Sequence, residues 1–169
     1  MFKNLFIYLN KYFFKTKNFS PSMKFKTTKI IIHFLVVLLL FFFVTEIFYL
    51  SWLPNGHLGE ETYLPSWLLA WSNHHFNLRT AIPFFALSFL MQCWYSISAP
   101  TGAKIKIPFW VFNLTCAAVL VCIVEGGQFF IAHRHPDSMD VVYGIFGSLL
   151  GCVLYSIFKF ITILIFIKK

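Results

Sequence analysis

Glu125, Gln128, Arg134, Asp137 and Asp140 fall close together in the stretch 124–151, V-E-G-G-Q-F-F-I-A-H-R-H-P-D-S-M-D-V-V-Y-G-I-F-G-S-L-L-G. Most of the remaining chain is Phe, Leu, Ile and Val. A guanidinium, an amide and three carboxylates at these spacings can bind an anion or handle a proton. The planar fork of arginine matches a phosphate or carboxylate on a ligand. Gln128 stands three residues after Glu125 and shares its helix face. Glu125 with Asp137 or Asp140 has the makings of an acid/base pair. His133 and His135, with Asp137 and Asp140, are metal-ligand types, but their spacing matches no zinc pattern, so neither a metal nor a cofactor is expected. No G-x-S-x-G, H-E-x-x-H or glycine-rich phosphate loop occurs.

These residues must be positioned by a strongly apolar chain. Of 169 residues, 59% are hydrophobic and 12% charged, with mean hydropathy +0.73. A soluble domain carries roughly 25% charged residues. Half that share, in long apolar runs, predicts an all-α integral membrane protein. The net charge of +8 does not point to nucleic acid, because the lysines lie at the ends of apolar runs and no basic reading face is present. Cys93, Cys116, Cys122 and Cys152 sit inside apolar runs without a C-x-x-C pair, and are expected to be buried free thiols.

Four spans are expected, at about 30–50, 80–98, 107–132 and 141–167, forming one bundle over 30–169. Twenty-one apolar residues cover roughly 30 Å, the thickness of the hydrocarbon core. Ahead of them, 1–29 is a basic segment. Within it 2–19 places Phe2, Leu5, Phe6, Leu9, Tyr12 and Phe13 on one side of a helix and lysines on the other, as an interfacial helix does. Lysines interrupt what would be the apolar core of a signal peptide, so no cleavable one is expected. Ser20-Pro21 should end the interfacial helix. P-S-W-L-L-A-W at 65–71 predicts a short interfacial helix started by Pro65. Pro83 is placed near the start of the second span.

With four spans, eleven lysines in the N-terminal segment, the 99–106 turn and the C-terminus share one side. Arg79 and Arg134 lie on the other. The lysine-rich side is expected in the cytoplasm, with both termini, so that 124–151 faces outward. Glu125 should then lie two turns inside the outer end of the third span, where an isolated carboxylate costs several kcal/mol. Arg134, in a short loop, is its natural partner. Gly126 and Gly127 should admit a neighbouring helix. Gly144, Gly147 and Gly151 predict close packing against the third span. A plainer reading makes Asp137 the N-cap of the last helix with Asp140 at N3, and His133 and His135 interfacial loop residues. Glu46 either joins the site or snorkels to the surface.

The order E-G-G-Q, then R-H-P-D-S-M-D, then glycines at 147 and 151 resembles the motif of the VanZ-like family of bacterial membrane proteins. Glu125, Gln128, Arg134, Asp137, Asp140, Gly147 and Gly151 fit it, while Gly144 stands where the family has asparagine. N-L-R-T-A-I-P-F at 77–84 is similar to the family's segment before its second helix. The resemblance implies a multi-pass protein of the bacterial inner membrane. The family's namesake is associated with low-level resistance to the glycopeptide teicoplanin.

Three functional readings fit these residues. In the first, an outward-facing site made of Glu125, Gln128, Arg134, Asp137 and Asp140 binds the anionic headgroup of a lipid-linked cell-wall precursor or a glycopeptide. In the second, an intramembrane hydrolase or transferase acts on such a lipid with Glu125 or Asp140 as general base. In the third, the chain is a structural partner subunit whose polar stretch only packs against another membrane protein; membrane lipids are expected partners in all three.

Overall fold

A computed structural model describes residues 21–54, 65–98 and 108–167. The interfacial helix expected at 2–19 and the turn at 99–102 lie outside the described residues. Within them the chain is helical, with no strand. The helices are α1 (Pro21–Trp52), α2 (Ser66–His74), α3 (Phe76–Ser98), α4 (Phe109–Gln128) and α5 (Ser138–Ile167). All but α2 are long and apolar enough to cross a membrane. The fold is therefore that of a multi-pass membrane bundle, and the apolar side chains of α1 and α5 that face outward, Phe34, Phe41, Phe42, Phe146, Val153 and Ile157 among them, face lipid.

The helix ends differ from the hydropathy boundaries for local reasons. α1 begins at Pro21, so 21–29 continues into the first span. Pro at the first helical position loses only an N–H that has no intrahelical acceptor anyway. α2 follows Pro65, whose carbonyl accepts from Leu68 and Leu69. α3 starts at Phe76 rather than 80, which leaves Pro83 inside the helix, two turns from its start. Membrane bundles tolerate such prolines because neighbouring groups re-satisfy the backbone. α4 stops at Gln128 rather than 132: the apolar residues Phe129 and Phe130 lie in turns, Phe130 being 92% exposed. α5 starts three residues early, at Ser138.

Lipid tails are as apolar as leucine, so helix association in a bilayer depends on close packing and hydrogen bonds rather than on a hydrophobic force. Both concentrate between α3 and α5, the most extensive contact in the bundle. A Cβ on Gly147 would overlap the carbonyl oxygen of Ala81, and one on Gly151 that of Phe85. These glycines therefore pack on the second span, and only Gly144 reaches the third, at Val121. The two helices run parallel with a register of about sixty residues. Thr80 Oγ1 donates to Asp140 Oδ1 (2.8 Å), Gln92 Nε2 meets Cys152 Sγ (3.6 Å), and Ser96 meets Tyr155.

Helices α1 and α5 each pack against both α3 and α4. Ile47, Phe84, Leu87, Ala117, Val121 and Val124 form the core between them. It lies directly beneath the end of the bundle where α4 turns into α5. The four cysteines are free thiols, but only Cys152 is buried, and Cys122 faces lipid.

Candidate functional site

The residues singled out from sequence meet at the α4–α5 end of the bundle, divided between a buried joint and an open cleft. Glu125 is in the last turn of α4, not two turns inside the span, because the helix ends at Gln128. Both side chains are buried, at 5% and 3% exposure. Gln128 Nε2 donates to Glu125 Oε1 at 3.0 Å, as the three-residue spacing predicts. The other carboxylate oxygen accepts from the backbone N–H of Asp137 at 3.2 Å. Asp137 in turn caps α5: its Oδ1 accepts from the N–H of Met139 at 2.8 Å. The plainer reading of Asp137 thus describes its side chain, and Glu125 satisfies the N–H of the same cap residue from a different helix. Asp140, in the first turn of α5, takes the hydroxyl of Thr80 instead of reaching back to the cap. Three carboxylates surround the positive end of the α5 dipole, which stabilises negative charge there.

Arg134 is not held by Glu125. Its Nη2 donates to the backbone carbonyl of Ser51 at the end of α1, at 2.8 Å. The loop delivers it there through a turn in which the Arg134 N–H meets the carbonyl of Ile131 and His133 adopts φ 64°. A non-glycine residue in this left-handed conformation costs roughly 1–2 kcal/mol. His133→Gly is therefore expected to leave the melting temperature unchanged or raise it. His133→Val should lower it, because a β-branched side chain is the least suited to positive φ. A thermal melt in detergent measures both.

The cleft is lined by Ser51 of α1, Arg79 and Thr80 of α3, Gln128, Arg134 and Asp140, over a floor that includes Ile47 and Phe84. Its volume is about 20 Å³, enough for one water-sized group such as a single oxygen of a larger headgroup. The Arg134 Nε is buried and has no hydrogen-bond partner among the described residues. Arg79, whose guanidinium lies 5.2 Å from the Phe76 ring centroid, is the second cation of the cleft. In the sequence Arg79 bears on topology and falls within N-L-R-T-A-I-P-F, but nothing in its spacing assigns it to the site. Thr80 was missed for want of any spacing signal, and the Ser51 carbonyl is backbone, to which residue identity gives no clue.

Of the five expected ligand-binding residues, Gln128, Arg134 and Asp140 line the cleft, while Glu125 and Asp137 brace it from behind. His133 and His135 are exposed in the loop, and Glu46, half-buried on α1, does not line the cleft. Among the described residues no group of three His, Cys, Asp or Glu side chains is placed to hold a metal ion. On the α1 side, Trp52 Nε1 donates to the carbonyl of Val124 at 3.1 Å, and its indole lies against Gly127, where any side chain would collide with it. Gly126 faces nothing within 4 Å.

Fold and site together define a four-span helical membrane protein with a small charged cleft at one end. Comparison with protein-family models, with curated proteins and with solved structures finds no match.

Proposed function

We propose that the chain is an inner-membrane protein of the bacterial cell envelope that binds an anionic headgroup at its α4–α5 end. The observation that carries this reading is the pair Arg79 and Arg134 on one cleft, the latter with a buried Nε that has no acceptor among the described residues. An entering phosphate or carboxylate oxygen would supply that acceptor, and Gln128 and Thr80 stand beside it to orient the group. The resemblance of 125–151 to the VanZ-like motif supports a role in the envelope, with a lipid-linked cell-wall precursor or a glycopeptide such as teicoplanin as the source of the anion. The general-base reading is less favoured, because both oxygens of Glu125 are already engaged and Asp140 is held by Thr80.

The test is binding of a polyprenyl diphosphate and, separately, of teicoplanin to the protein in lipid nanodiscs. Arg134→Gln should weaken whichever ligand binds by roughly 10–100-fold, the value of a charge-assisted hydrogen bond of about 1.5–3 kcal/mol. Arg134→Lys should recover only part of it, since an ammonium lacks the planar fork. Absence of binding to either ligand would leave the chain as a partner subunit. Turnover of a labelled lipid would make it an enzyme.

The orientation follows from the lysine asymmetry. With the native cysteines replaced, cysteines introduced at Trp67 and His135 are expected to react with an impermeant reagent added to intact cells. Those introduced at Lys24 and Lys104 should react only after permeabilisation. Labelling at Lys104 from outside would overturn the outward-facing site.

A further inference from the structure

Midway along α3, and one turn after the start of α4, lies a second polar group, unconnected with the cleft. Ser88 and Asn113 are both fully buried, at 0% exposure. Asn113 Nδ2 donates to the Ser88 carbonyl at 2.8 Å and to Cys152 Sγ at 3.4 Å. A carbonyl can only accept, so the nitrogen must be the atom that faces it, and the orientation of the amide is settled. This leaves Asn113 Oδ1 buried without a partner among the described residues, and Ser88 Oγ likewise.

The Ser88 hydroxyl has an easy alternative that it does not use. Thr45, Thr115, Ser148, Ser156 and Thr162 all donate to the carbonyl four residues back in their own helices. Ser88 makes no such bond. Orphaned polar groups at this depth are costly, because no bulk water reaches them. One orphan, Asn113 Oδ1, can only accept; the other, a hydroxyl, can donate. Water is the smallest molecule that satisfies both, by donating to the amide oxygen and accepting from the hydroxyl. Buried waters in proteins bond to otherwise unsatisfied polar groups of this kind.

The geometry points to a water-binding site buried inside the bundle, between α3, α4 and α5, in which Ser88 Oγ and Asn113 Oδ1 hold a water molecule near Cys152. It is separate from the cleft. Thr80 and Ser88 are eight residues apart, roughly 12 Å along the helix, and Phe84 and Val121 fill the layer between. The joint between α3, α4 and α5 is then bridged by solvent at its centre, whatever the cleft binds.

The test is X-ray hydroxyl-radical footprinting of the full chain in lipid nanodiscs, where radicals arise only from water and Cys152 is the reporter. Cys152 is expected to be oxidised despite its burial, while Cys122, on the lipid face, is not. Asn113→Leu and Ser88→Ala, each checked for unchanged helical content and elution, should lower Cys152 oxidation several-fold. Replacing sodium with choline should leave it unchanged. An unmodified Cys152 in the native protein, at a dose that modifies the exposed Trp67, overturns the site even if neither variant folds. Undiminished oxidation in a folded variant also overturns it. So does sodium dependence, which would identify the occupant as an ion.

Discussion

Gly147→Ala is expected to destabilise the protein by about 3 kcal/mol, the upper end of what an overpacked core suffers. The new Cβ would overlap the carbonyl oxygen of Ala81, a backbone atom that cannot move aside as a side-chain tip would. Gly151→Ala should behave similarly, meeting the Phe85 carbonyl. Gly126→Ala is the control. Nothing lies within 4 Å of its Cβ, so helix propensity alone acts and the change should stabilise by about 0.5–1 kcal/mol. Denaturant unfolding in a defined detergent would measure all three. Equal effects at Gly126 and Gly147 would contradict the intimate α3–α5 contact.

Glu125→Ala should have the next largest effect. It removes the acceptor of both the Gln128 amide and the Asp137 N–H. The buried Gln128 amide left without its acceptor costs about 1–3 kcal/mol, and the part-buried Asp137 N–H adds less, so a loss of roughly 2–3 kcal/mol is expected, with the start of α5 loosened. Glu125→Gln should lose less, since its carbonyl still accepts one of the two bonds. Arg134→Gln should show the opposite profile, with little change in stability and a large loss of ligand binding. The short loop joins the two sites, so the double variant Glu125→Gln with Arg134→Gln should deviate from additivity by roughly 0.5–3 kcal/mol. Additive losses of stability, with binding per molecule unchanged, would reduce the whole constellation to helix capping.

The spans were legible because hydropathy measures the one property a bilayer selects for. Their ends were not. Phe129 and Phe130 extend the apolar run beyond α4 although they lie in turns, and hydropathy does not separate an apolar loop from an apolar helix. Asp137 carried a capping signal that correctly opens α5, while the run-based boundary started later. Glycine spacing announced a close contact but not its partner. Periodicity describes a face of one helix and is silent on which neighbour it meets, so Gly147 and Gly151 were placed against the third span rather than the second. In the site, Glu125 and Gln128 were readable as a pair, since helix geometry alone brings them together. The Ser51 carbonyl that holds Arg134, eighty-three positions away, depends on the packing of the whole bundle.

The sixty-residue register between α3 and α5 has a mechanical consequence. Parallel helices meshed through glycine behave as a keyed shaft, in which angular phase matters as much as depth. Removing one residue from α5 between Gly147 and Gly151 would turn everything beyond it by roughly 100°. Cys152 would take the place of Gly151 and be driven against the Phe85 carbonyl, and lipid-facing Val153 would turn to where Cys152 now meets Gln92. A deletion among residues 129–132 lies outside the key and leaves the mesh of α3 with α5 in phase, although it displaces the turn that carries Arg134. Length variation in this chain should therefore be absorbed by its turns and refused by its last helix.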